Sequence, residues 1–410
     1  MLQTPWPRLF FLILAGCWTL GGCASLTEDE VPPEARALRL ERIWARETVR
    51  DGYLGPRLPN RAGPLLADNM LIQGNGVDAM AAYDRQSGVE LWRLAIKGGV
   101  EGGTIRIGEY IFFGGGDGRL YCLKTSGEVV WQIETKAPIT STPMFYDGVV
   151  YVVNSADELF AVEASQGTIQ WTYRRPTARD LSVRGASTPA VRGDSIYVGF
   201  SDGVVARFQR ASGKLIWEKP LREGQTEPPL VGSLSELGVS GVKLVGLKNL
   251  SDVDATPIIE NDRVYVSSYQ GGLFCLQADS GAILWSRAEG GIRPVTIHQD
   301  RLYYASAAGN VLALDKSSGK LLWQYQAKGM ASGLVLTRGR LVFGESSAGL
   351  TVLNAVSGTP LVTFLSGRGV SASPAISDQD WIYFISNENN LYALREAWQM
   401  KTKELSWDSY

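Results

Sequence analysis

The sequence predicts an all-β fold made of one short unit repeated around a ring, and three observations lead there. Of 410 residues, 46 are Gly, 12 Trp and 16 Tyr, a composition that favours strands joined by tight turns. A Gly-x-x-x-Trp motif follows an apolar stretch again and again: Gly88 with Trp92, Gly127 with Trp131, Gly167 with Trp171, Gly213 with Trp217, Gly281 with Trp285 and Gly319 with Trp323. Gly358 opens a degenerate seventh copy in which Val362 stands in the Trp position. Successive glycines are 39, 40, 46, 68, 38 and 39 residues apart, a period near 40 broken by two insertions, as expected for propeller blades.

Each element has a reason in the residues. The third unit shows the pattern: Pro143–Tyr146 reads as a first strand, and Asp147-Gly148 as a two-residue hairpin turn. Val149–Val153 is a continuous apolar run suited to burial on both faces. Leu159–Val162 follows as a third strand, and a turn at Gly167 leads into Ile169–Tyr173 as the outer one. The outer Trp is expected to fill the wedge between blades rather than to bind a ligand. Beyond the seventh unit, Ala372–Ala375, Trp381–Ile385 and Leu391–Leu394 supply three strands and lack an outer partner. Leu40–Ala45, far upstream, is an orphan strand carrying Trp44. Joining the two predicts an eight-bladed β-propeller of four-stranded antiparallel blades, closed by pairing of the N- and C-terminal strands, which also removes exposed sheet edges.

Composition excludes several functions. Lys and Arg total 40 against 42 Asp and Glu, so no bulk positive charge favours nucleic acid. One His and four Cys leave little from which to assemble a His/Cys zinc cage or a His-based triad. No cofactor or metal ligand set is recognisable. Cys17 lies in the leader, whereas Cys122 and Cys275 share a local context in different repeats and read as buried small hydrophobes.

Residues 1–22 read as a secretory signal, with Arg8 before an apolar run, Leu9–Leu20, too short to span a bilayer. Leu20-Gly21-Gly22-Cys23 is similar to the bacterial lipobox, which implies acylation of Cys23 and stable anchoring by several chains. Ala24 and Ser25 follow in place of the Asp that marks inner-membrane retention in such families, and the analogy implies the periplasmic face of an outer membrane. Residues 23–37 are then a lipidated tether, 38–400 the propeller and 401–410 a tail.

The two insertions are the places to expect binding, because long loops on a rigid ring carry function. The first, Arg174–Gly185, contains Leu181-Ser182-Val183-Arg184-Gly185; the second, Leu221–Leu250, runs into Ser251-Asp252-Val253-Asp254-Ala255-Thr256-Pro257. In extended chain Leu181 and Val183 share a face, as do Asp252 and Asp254. An apolar pair, an Arg and two carboxylates fit a protein-binding hot spot. The same spacing equally fits Leu181 and Val183 packing under their own loop, with the Asp residues capping turns or pairing with Arg.

On these two loop motifs and the repeat, residues 23–398 resemble the BamB family of outer-membrane assembly lipoproteins, eight-bladed propellers of the PQQ-like repeat class. The resemblance implies a non-catalytic scaffold of the β-barrel assembly (BAM) complex, whose loops dock onto the periplasmic domains of BamA and whose sheet edges meet nascent outer-membrane proteins. The implied contact residues are Leu181, Val183, Arg184, Asp252 and Asp254. Val183 stands where the family usually has Leu, and Leu221–Leu250 is longer than the family's usual connection. Two alternatives belong beside this reading. A quinoprotein dehydrogenase would show adjacent cysteines and a calcium site of Glu, Asn and Asp, neither of which is recognisable here; a propeller lipoprotein with another envelope client would differ only at the loops. Asp117 and Asp202, each followed by Gly, read as turn residues.

Overall fold

The computed structural model describes residues 36–50, 60–175, 187–221, 253, 255–269, 271–291 and 293–400. Leu38–Ala397 forms one compact unit; Met1–Ala37 and Trp398–Tyr410 form another, whose described residues are the ends of two strands. Among the described residues there are eight four-stranded antiparallel sheets, the blades of an eight-bladed propeller. Blades 1 to 7 span residues 65–95, 105–134, 144–174, 190–220, 258–287, 296–326 and 335–365. In blade 8, Ala375–Ile376, Trp381–Ile385 and Asn390–Met400 are completed by Arg36–Glu47 from the other end of the chain. The closing strand is tied off where Thr48 donates through both its amide and its hydroxyl to the Asn389 carbonyl, each at 2.9 Å.

Burial is graded from the middle of each blade outward, and the residues follow it. In blade 3 the inner strand Met144–Tyr146 is half-buried, while Val149–Val153 is buried at every position. Glu158–Glu163 is buried apart from its two charged ends, and Ile169–Arg174 alternates towards its outer end. Second and third strands are therefore sandwiched between neighbouring blades, and only outer strands show the period-two pattern of a half-solvated sheet. Asp147 and Gly148 both take positive φ, 52° and 76°, as a two-residue hairpin turn with right-handed strand twist requires.

The seams between blades explain the repeat motif. Each motif glycine sits in the hairpin between third and outer strands, with φ of 67–88°. A Cβ there would lie 2.5–3.0 Å from the indole of the preceding blade's Trp, so both the backbone and the ring exclude a side chain. Gly167 covers Trp131, Gly213 covers Trp171, and so on around the ring, beginning with Gly88 over Trp44. The Gly and the Trp of one motif thus serve two different seams. Every one of these indoles donates its Nε1 hydrogen to a carbonyl of the same hairpin, at 2.8–3.2 Å. Across the blade each motif Trp faces a third-strand residue that is small in most blades: Ala82, Ala161, Ala313, and Cys122 and Cys275. The cysteines therefore occupy an alanine-like slot as buried free thiols, with burial pushing their pKa values up to about 12 and about 11.

Seven seams carry this lock among the described residues; the one between blades 7 and 8 does not. The reason is topological. Blade 8 takes its outer strand from the N-terminal end of the chain, so it has no third-to-outer hairpin and no glycine to cover a ring. Val362 accordingly replaces Trp and packs with Val342, Val352 and Leu394. Beside it Arg340 meets Glu396 at 2.7 Å, with side chains 11% and 7% exposed. Burial raises the Glu396 pKa, while Arg340 pulls it down.

Candidate functional site: two inserted connections on one turn

In a four-stranded antiparallel blade, the turn between second and third strands lies at the same end as the connection to the next blade. Both insertions are connections of that kind, from blade 3 to blade 4 and from blade 4 to blade 5, so they leave from the same face of the ring. Leu181, Val183 and Arg184, with Asp252 and Asp254, lie outside the described residues, as does Cys23. What the structure places is the set of residues where these segments leave and re-enter the ring.

Ordinary connections define the rule. The chain leaves one blade with an amide bonded to the second-to-third turn, at Ile96 to Asp78, Thr135 to Gly118 and Ser366 to Ala348. Four residues later a second amide bonds back to the start of that turn: Val100 to Asn75, Ile139 to Gly115 and Val370 to Glu345. The returning side chain seats over a glycine, at Gly74, Gly114 and Gly344, where a Cβ would come within 2.6 Å of it. The long connection from blade 4 obeys the same rule. Leu221 N donates to Gly203 O at 2.8 Å, Val253 N donates to Phe200 O at 3.1 Å, and Val253 is buried over Gly199. Residues 222–252 thus stand where other connections use only 97–99, 136–138 or 367–369.

The first insertion is held by the same turn of blade 4. Arg175, the last described residue at its start, has a side chain 11% exposed. Its Nε donates to Asp202 Oδ2 at 2.6 Å and its Nη1 to Glu218 Oε2 at 2.9 Å. The guanidinium lies 5.3 Å from the centroid of the Phe200 ring, a favourable cation–π distance. Burial works against this charge, but Glu218 and Asp202 outweigh it and the Arg175 pKa is raised. The Arg175 amide donates to the carbonyl of Asp157 at 3.2 Å, and the buried Asp157 carboxylate accepts from the Ser201 amide at 3.2 Å and from its hydroxyl. Burial raises the Asp157 pKa against these two donors. At the far ends, Ser187 Oγ donates to the carbonyl of Ala255 at 3.2 Å, joining the exit of one insertion to the exit of the other.

A family model described as "Outer membrane protein assembly factor BamB" matches residues 77–325 and 308–407. The chain belongs to the BamB family. The BamB of Moranella endobia is 27% identical over 272 residues, 63% of this chain and 65% of that protein, so the chain spans about two thirds of that relative's length. The BamB of Nitrosomonas eutropha is 27% identical over 378 residues, covering 89% of this chain and 88% of the relative. The crystal structure of BamB from Moraxella catarrhalis superposes with a TM-score of 0.70 at 17% identity, covering 87% of this chain and all of that one; it shows the fold.

Within that family frame, sequence reasoning missed Arg175, Asp202 and Glu218. The sequence reads Asp202 only as a turn residue; the turn is real, but its carboxylate also holds an Arg 27 positions away. Nothing local singled out Arg175 from the neighbouring Arg174 at the start of the insertion. The described cysteines sit in separate blades, and no group of three His, Cys, Asp or Glu that could hold a metal occurs among the described residues.

Proposed function

We propose that this chain is a non-catalytic, lipid-anchored subunit of the outer-membrane β-barrel assembly machinery, facing the periplasm and acylated at Cys23. Its two inserted connections dock on the periplasmic domains of BamA, through Leu181, Val183 and Arg184 of one and Asp252 and Asp254 of the other. Holding those domains in one orientation is the mechanism: the propeller supplies a rigid base and an apolar, oppositely charged contact, and no bond is made or broken. Membership of the family carries the reading, supported by two insertions that leave from one face of the ring.

Arg184→Glu is the test. With BamA periplasmic domains in a pull-down, binding falls at least tenfold while the circular dichroism spectrum and thermal midpoint stay those of wild type. Full retention of binding overturns the assigned contact.

A further inference from the structure

The described ends of the two long connections are gathered by four separate tethers. Arg175 reaches Asp202, Ser201 reaches Asp157, Leu221 bonds to Gly203 and Val253 bonds to Phe200. All four end on one four-residue turn, Phe200-Ser201-Asp202-Gly203. Arg175 fixes the start of the first insertion, Ser201 ties in the blade 3 turn that also receives the Arg175 amide, and the other two fix both ends of the second. Ser187 and Ala255 add a direct bond between the two re-entry points.

We propose that the blade 4 turn Phe200–Gly203 is a common mount that sets the spacing of both inserted segments, and that Arg175 is its positioning residue. This rests on the docking role proposed above for the two segments. The physical reason is that Arg175 is clamped by two carboxylates of the next blade and stacked on Phe200, whose own carbonyl receives the Val253 amide. A planar guanidinium gripped on two edges and one face has little freedom left. Shifting the turn therefore moves the described ends of both connections together. A two-site contact with a partner is lost steeply when the spacing between its halves changes.

The experiment compares the full chain with Arg175→Gln, Arg175→Lys and Asp202→Asn. Affinity for the BamA periplasmic domains and hydrogen exchange of the Leu221 and Val253 amides are measured on each. Arg175→Gln and Asp202→Asn weaken binding five- to twentyfold and speed exchange at Val253, which Arg175 does not itself touch; Arg175→Lys, which keeps the charge, recovers part of both. A purely local role for Arg175 would speed exchange only near Asp157 and leave Val253 as in wild type, and that result overturns the mount. Should Arg184→Glu leave binding intact, the docking reading fails, while the exchange data still decide whether the turn couples the two connections. A Val253 amide unmoved in every folded variant sinks the proposal whatever the partner does.

Discussion

The seam between blades 3 and 4 and the seam between blades 7 and 8 solve the same packing problem by different means. At the first, Trp171 lies under Gly213 and donates to Arg210 O at 3.0 Å. At the second, Val362 packs on an apolar cluster of aliphatic and aromatic side chains, and a buried Arg340–Glu396 pair spans the gap. The difference teaches that the lock belongs to the hairpin rather than to the blade. Where the outer strand arrives from the opposite end of the chain the hairpin disappears, its glycine with it, and a ring at the preceding Trp position would have nothing to lie under. The degenerate seventh repeat is a consequence of closure.

The comparison predicts unequal costs. Trp131→Ala removes a ring, its indole hydrogen bond and the filling of a seam, and lowers stability by about 3–5 kcal/mol, read by chemical denaturation at constant m-value. Glu396→Ala strips Arg340 of its carboxylate in a nearly dry place and costs about 3 kcal/mol. The double change Arg340→Met with Glu396→Leu recovers most of that, because an apolar pair suits a seam that is otherwise apolar. If the double variant is no better than the single, the charges do more than fill space. The smallest effect concerns pH. Burial raises the folded pKa of Glu396 above its ordinary value of 4.5. The stability linked to that carboxyl is therefore fully present below 4.5 and lost as pH rises through the raised value. Glu396→Gln, which keeps an oxygen for Arg340, should gain on wild type as pH rises from 4 to 7. The deficit of Trp131→Ala should stay flat over the same range. Parallel pH profiles for the two would show that the seams do not differ in kind.

How far the residues announce all this depends on the range of the interaction. Strands were legible because their burial follows their apolar runs: Val149–Val153 is apolar at every position and buried at every position. Closure was legible because Leu40–Ala45 had a Trp and no blade of its own. The lock was half legible. Gly167 and Trp171 are four residues apart and read as one motif, yet they act on different neighbours, and that is a fact of packing across about 40 residues. Glu396 gave no sign, since nothing local separates a seam carboxylate from a surface one. Arg175 was equally silent, its partners being 27 and 43 positions away. The contact residues themselves, Leu181 to Arg184, Asp252 and Asp254, rest on motif and family, as they lie outside the described residues.

The rule that governs the connections has a use of its own. A segment of any length that begins with an amide bonded like that of Leu221 and ends in a β-branched plug like Val253 leaves the ring beneath it undisturbed. Going from three residues to the length of 222–252 is a little over three doublings, an entropic cost of about 2 kcal/mol. The junctions at 97–99, 136–138 and 367–369 are thus ready-made sockets, into which a foreign recognition peptide could be spliced at an angle of choice around the disc.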